Sequence, residues 1–440
     1  MKKQMKWLLA ALALAALATP AFAVTADMTG TLAVRGIMTN NFDGSDDTQD
    51  HGRFADQRFR LFTSVAANEN VKAVLGLEVD NVWGRTAAAG KDLGAMGTDD
   101  TGKLEVKHLY LDFKIPTLGA TVRAGSQPFN FGRGMVINDD AAGLLFTMPC
   151  PALPDNKLEL SWIKTREGIT TSIVDNPDTA ANETNTTAGD DEGDFYGAKY
   201  SMKVAGVGIA PYAGYYKNDL SAAFPTFNNG VDAAFFGVDV DGKAGAFGYA
   251  ATVLYNNWSN GATDGDSVSL YGKGTMAMGA TTLSLEAGRM GDDKNQGGNS
   301  MNLAQNAATG PVINVSEITT GGMYTSNSAG VANMGGAGTL YLTNWQYVKA
   351  GVVQKINDKM TVSGYLAHIE QAEDTPDNVA TALVDESSKA ATIGQEINAY
   401  FDYTIVPGLS FNVMGAYLLA DDDIGGDNAY KLATSLNYKF

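Results

Sequence analysis

The last eleven residues of the chain, Tyr430 through Phe440, alternate strictly between two kinds of side chain. Tyr430, Leu432, Thr434, Leu436, Tyr438 and Phe440 share one face of an extended strand. Lys431, Ala433, Ser435, Asn437 and Lys439 share the other. The first face is mostly apolar and aromatic at both ends. That suits a strand with one side against hydrocarbon and its ends at the headgroups. Any half-buried antiparallel strand alternates too, so the rest of the chain must decide.

The start of the chain agrees with its end. Lys2, Lys3 and Lys6 precede an apolar run from Trp7 to Ala18, which Thr19 and Pro20 break before Ala21-Phe22-Ala23. This order predicts a cleaved secretory signal peptide over 1–23, with a cut after Ala26 as the alternative. The run falls short of the roughly 20 residues a spanning helix needs. Cleavage removes three lysines and no acids, so the net charge moves from -18 to -21. No basic footprint for nucleic acid is present. Cys150 is the only cysteine, which excludes an intrachain disulfide, and it reads as a small apolar filler.

Strand follows strand along 24–440. Phe59, Leu61, Thr63 and Val65 alternate with Arg58, Arg60, Phe62 and Ser64; Ala73, Leu75, Leu77 and Val79 alternate with Lys72, Glu78 and Asp80. A face with charges opposite a face of aliphatics fits a polar lumen behind a lipid-facing wall. Burying Arg58 and Arg60 in lipid would cost about 2–4 kcal/mol each near the midplane, so both are expected to point inward. Pairing with nearby carboxylates is the plainer alternative role for each. No second apolar segment is long enough for a helix span, so the backbone must be satisfied between strands of a closed sheet.

Connections alternate in length. Short ones fall at 67–70, 116–119, 166–168, 357–359 and 406–408; long ones at 43–54, 84–103, 176–192, 371–392 and 291–344. Short turns on one rim and long loops on the other is the arrangement of outer-membrane barrels. The expected fold is all-β: one transmembrane antiparallel barrel of about 18 strands, with short periplasmic turns and long extracellular loops. A count of 16 follows if the segments near Trp162 and Ile169 are not strands. Trp162, Tyr255, Trp258, Trp345, Tyr347, Tyr400 and Tyr403 are expected to form interfacial girdles.

One connection is unlike the others. Residues 128–156 hold Val136, Ile137, Leu144, Leu145 and Phe146, which a loop dangling in water has no reason to carry. They are expected to fold inward against the wall.

At this point the chain resembles the trimeric porins of Gram-negative outer membranes, most closely the homotrimeric porins of sulfate-reducing bacteria. The segments carrying the resemblance are Asp56-Gln57-Arg58-Phe59-Arg60, Glu78-Val79-Asp80-Asn81-Val82-Trp83-Gly84 and Gln127-Pro128-Phe129-Asn130-Phe131-Gly132-Arg133-Gly134. The resemblance implies a constriction in which acids on an inward loop face basic residues on the wall. Here those would be Asp139 and Asp140 against Arg35, Arg58, Arg60, Lys72 and Arg123. It also implies that Tyr438 and the terminal Phe440 belong to a signal read by the barrel insertion machinery, and that three copies assemble. The implied activity is passive diffusion of small hydrophilic solutes and ions, filtered by size and charge, without cofactor or metal. Expected partners are outer-membrane lipid, lipopolysaccharide met through divalent cations, other copies of the chain and small polar solutes.

The rival classes are an outer-membrane barrel enzyme and a non-channel structural or adhesive barrel. An enzyme needs a catalytic cluster, but the chain has only His51, His108 and His368 and no Gly-x-Ser-x-Gly motif. His108 is expected on the lumen face with Tyr110 and Asp112. The acids at 264, 266 and 421–423 do not match a calcium loop.

Overall fold

The computed structural model describes residues 25–41, 51–84, 103–150, 153–167, 192–218, 232–259, 264–290, 315–319, 345–372, 392–424 and 426–440. The signal segment lies outside them. The first nine strands are β1 (Thr25–Asn40), β2 (Gly52–Asn68), β3 (Val71–Val82), β4 (Lys103–Ile115), β5 (Ala120–Phe131), β6 (Ile137–Cys150), β7 (Leu153–Glu167), β8 (Glu192–Val204) and β9 (Val207–Asn218). The second nine are β10 (Asp232–Ala244), β11 (Phe247–Ser259), β12 (Asp264–Met278), β13 (Thr281–Met290), β14 (Trp345–Asn357), β15 (Met360–Gln371), β16 (Thr392–Val406), β17 (Leu409–Ala420) and β18 (Ala429–Lys439).

Each strand pairs antiparallel with its sequence neighbours, and β1 pairs with both β2 and β18. The sheet therefore closes into an 18-stranded barrel with no free edge. The alternative of 16 is excluded. The count of 18 also needs one exchange among the expected strands. Residues 128–156 are not a loop, because β6 runs through 137–150 and β7 begins at 153. The expected turn at 166–168 is not one either: β7 continues through Glu167, and the segment at Ile169 lies outside the described residues. Cys150 ends β6 on the short-turn rim, half-buried.

All eight connections on that rim are two to four residues long. Asn68 and Asn357 each cap a turn, their side-chain oxygens accepting the backbone N–H of Asn70 and Lys359 at 2.8 Å. Ala205-Gly206 joins β8 to β9 with φ of 50° and 88°, the double left-handed bend that matches strand twist.

The two faces are inverted relative to a water-soluble protein. On β18, Lys431 is 3 % exposed and Leu432 is 48 % exposed. Leu109 and Leu111 of β4, Val253 of β11, Leu285 of β13 and Leu366 of β15 are likewise exposed. Outward apolar side chains in a continuous belt are stable only against hydrocarbon. Trp162, Tyr196, Tyr215, Phe236, Tyr255, Tyr417, Tyr438 and Phe440 are exposed with them. Three expected girdle residues are not: Trp258, Tyr347 and Tyr400 are buried, and the hydroxyls of Tyr347 and Tyr400 bond carboxylates inside the barrel. A buried tyrosine hydroxyl needs a polar partner, and the lumen supplies one. The side chain of Trp345 lies outside the described set.

The seam between β1 and β18 is finished by the last residue. Gly30 donates its N–H to the Phe440 carbonyl at 2.9 Å, and Phe440 donates to the Gly30 carbonyl at 3.1 Å. The Phe440 ring lies over Gly30 and stacks with Tyr438 at 5.5 Å and Phe59 at 6.5 Å. A Cβ on Gly30 would collide with that ring and stand 2.8 Å from the Arg60 carbonyl oxygen. Gly30→Leu is expected to destabilise the closed barrel by about 1–3 kcal/mol and to lower the yield of the heat-modifiable folded form on gels. Gly272→Ala, whose added Cβ meets nothing within 4 Å, should not. Equal behaviour of the two variants would remove the seam argument.

Candidate functional site: the charged lumen wall and two inward segments

Strand register sets the charges of β1 to β5 in a cross-strand ladder. Arg35 faces Asp56 and donates two bonds to its carboxylate at 2.7 and 2.8 Å. Arg58 forms the same two-pronged pair with Asp80 at 2.7 Å, and Arg60 pairs with Glu78. Asp112 stands between Lys72 at 3.5 Å and Arg123 at 3.4 Å. Paired guanidinium–carboxylate forks are the strongest of such contacts.

The wall bases thus do point inward, but their partners are acids on the adjacent strand and not Asp139 or Asp140. Asp140 is held by Lys107 at 2.6 Å and by His108 Nε2 at 2.8 Å. These two adjacent residues share a face because the β3–β4 register skips one residue between Gly76 and Leu77. Asp139 accepts the backbone N–H of Asp140. The ion pairs join six bases (Arg35, Arg58, Arg60, Lys72, Lys107, Arg123) to five acids (Asp56, Glu78, Asp80, Asp112, Asp140), and counting the adjacent Asp139 brings the formal charge of the group to zero.

The first inward segment is the end of the β5–β6 hairpin. β5 stays paired with β4 only to Ser126, and β6 with β7 only from Ala142, while β5 and β6 remain paired to Phe131 and Ile137. Among the described residues, 127–141 therefore ladder only with each other. One side of this end is tied to β4 through Asp140. The other packs against the wall beyond β7: Phe131 meets Phe195 of β8 at 5.1 Å and Tyr212 of β9 at 5.3 Å, both edge-on. Val136 is fully buried and Met135 nearly so. At the tip, Arg133 donates to Thr252 Oγ1 at 2.8 Å, lies 3.7 Å from the Asp239 carboxylate and sits 5.8 Å from the centre of the Tyr271 ring. Those residues belong to β10, β11 and β12, which are not wall neighbours of β5. The burial of Val136 and Ile137 is explained by this packing; Leu144, by contrast, faces outward.

The second inward segment is 315–319, from the connection between β13 and β14. All five residues are buried. Glu396 of β16 accepts the backbone N–H groups of Glu317 and Ile318 at 2.8 Å and of Thr319 at 3.0 Å, and the Thr319 hydroxyl at 2.9 Å. Three successive N–H groups on one carboxylate form an anion nest filled by the chain's own side chain. Asn398 takes a second bond from Glu317 N–H at 3.2 Å. The Glu317 side chain completes the set: Tyr400 donates to it at 2.8 Å, and Lys431 at 3.2 Å with a further bond to the Glu317 carbonyl at 3.0 Å. Tyr365 extends the network by donating to Tyr400 at 2.6 Å, with Lys349 4.5 Å above its ring centre. Lys431 was legible as a lumen-face residue of β18. Its partner Glu317 and the nest on Glu396 were not, since 114 and about 79 residues separate the groups.

No family model and no curated protein matches the sequence. Solved structures match its fold. Pseudomonas aeruginosa OccK8 (OprE) aligns at a TM-score of 0.54 and 13 % identity over 94 % of this chain and 98 % of the other. The outer membrane protein opdK of the same organism gives 0.54 and 12 % over 94 % and 99 %. Acinetobacter baumannii OccAB3 gives 0.54 and 11 % over 94 % and 100 %. The shared architecture is the closed antiparallel β-barrel; at these identities the likeness is one of fold.

The ladder pairs should behave as coupled units. Arg58 and Asp80 keep 19 % and 20 % of their side chains exposed, so losing one partner is expected to cost about 2 kcal/mol, less than a fully buried pair would. Arg58→Gln or Asp80→Asn alone should lower the unfolding midpoint of the detergent-solubilised barrel, and the double variant should recover most of the loss. Additive losses would show that the pair is not coupled.

Proposed function

We propose that the chain is a passive diffusion channel of the bacterial outer membrane, carrying small hydrophilic solutes and ions down their gradients. The observation that carries this reading is the inverted wall: an apolar belt outside and a ladder of ion pairs inside one closed barrel. Similarity of fold to the outer membrane protein opdK supports the location. Export by the 1–23 signal peptide and insertion through the Tyr438–Phe440 terminus belong to the same proposal. So does a homotrimer, which rests on the resemblance to porins of sulfate-reducing bacteria and is checked by native mass.

Size filtering follows from the two inward segments, which narrow the lumen from opposite parts of the strand order. Charge filtering should be weak. The chain carries a large net negative charge, but surface charge is screened beyond a Debye length of about 8 Å, whereas the ladder at the wall sums to zero. A passing ion samples local dipoles of each pair and little net field.

Planar-bilayer recordings in a salt gradient test this. The purified protein should give ohmic steps with a reversal potential near zero. Arg58→Gln with Arg60→Gln removes two positive charges, leaving Glu78 with Lys107 alone at 3.8 Å, and should shift the reversal potential toward cation preference. A folded, inserted barrel without conductance would overturn the channel reading in favour of an enzyme or a structural barrel.

A further inference from the structure

The two inward segments are attached to the wall by different physics. The hairpin end is continuous with two wall strands and is packed by aromatic rings. Residues 315–319 have no strand partner in the sheet. Their polar contacts to the wall include hydrogen bonds and one ion pair to side chains of β16 and β18, centred on Glu396 and Lys431, and Val315 and Ile318 add apolar burial in the core cluster. Sequence alone separates them from the wall by 24 residues on the side of β13 and 25 on the side of β14.

Such a contact is all-or-none. The Glu396 carboxylate serves three backbone donors and a hydroxyl at once, and Glu317 is served by Lys431 and Tyr400 together. Neutralising either carboxylate weakens every bond on it, because each is assisted by the same charge. The ion pair itself is buried: the side chains of Lys431 and Glu317 are 4 % and 2 % exposed. A pair that is buried only while the segment is docked is rehydrated on release, so docking balances desolvation against pairing and a modest change tips it.

We infer that residues 315–319 are a releasable strap, clamped to the lumen wall by Glu396, Asn398, Tyr400 and Lys431, and that the clamp sets the open cross-section of the barrel. The inference rests on the diffusion-channel reading for its conductance consequence and on the clamp geometry alone for its structural one. Both ends can be measured separately. Glu317→Gln changes the strap and leaves the barrel strands intact; Glu396→Gln removes the charge of the nest.

The test uses the full-length protein in lipid bilayers and vesicles, with Cys150 replaced by alanine and Ile318→Cys as the reporter. Ile318 is fully buried in the docked strap. A charged, water-soluble thiol reagent should label Cys at 318 slowly in the parent and at least tenfold faster with Glu317→Gln or Glu396→Gln. Single-channel conductance of the same variants, without the reporter, should rise on the order of twofold, and larger uncharged polymers should enter. Heat-modifiable mobility verifies the folded barrel in each case; if Glu396→Gln does not fold, Glu317→Gln decides. Unchanged labelling and unchanged conductance in a folded variant would overturn the strap. Faster labelling in a protein that never conducts would uphold the strap and overturn the channel reading instead.

Discussion

Everything in this molecule depends on hydrogen-bond closure of the backbone. Lipid offers no partner for an N–H or a carbonyl, so an open sheet edge in the membrane would leave groups that each cost several kcal/mol. The chain meets this by pairing β1 with β18 over ten register positions and by extending the seam to its final residue, where Phe440 and Gly30 exchange backbone bonds. Gly30 has no side chain because the Phe440 ring occupies that space. The Phe440 ring and backbone are thus a structural part of the closure.

Closure forces the second property. A cylinder of 18 strands has an inside and an outside, and a two-residue period assigns every side chain to one of them. Charges go inside, where cross-strand neighbours are about 5 Å apart and opposite signs find each other. The ladder from Arg35–Asp56 to Lys72–Asp112 is this rule applied four times over. Its consequence is electrical moderation: along β1 to β5 the charges are dense and nearly balanced. The inward segments then exploit the same wall in two ways, one through apolar packing around Phe131 and the other through the carboxylate nest of Glu396.

The period of two made most of the barrel legible from sequence. It gave the faces of β18, the inward direction of Arg58 and Arg60, and the lumen placement of His108. It failed where the period breaks. In β6 the run Gly143-Leu144-Leu145-Phe146 and the paired acids Asp139-Asp140 look like a loop, yet Leu144 faces outward and Asp140 meets β4 because the hairpin end leaves the wall. The skipped residue in β4 that sets Lys107 beside His108 has no signature in a single sequence. Which of the two roles open to the wall bases holds, facing Asp139 and Asp140 or pairing with nearby carboxylates, depends on strand register, which a single sequence does not fix until turn lengths are known. The strap was the least legible feature: its five residues are anchored by side chains on strands whose spatial order follows only from closure.

The inverted wall is tested most directly by aqueous accessibility along adjacent positions. Single cysteines at Ser64 and Tyr110, on the lumen face, and at Leu109 and Leu111, on the outer face, can be compared in native membranes after Cys150 is replaced by alanine. A charged thiol reagent should label positions 64 and 110 and spare 109 and 111, with the pattern reversing for a lipid-soluble probe. Aqueous labelling of 109 and 111, or equal labelling of all four, would contradict the account.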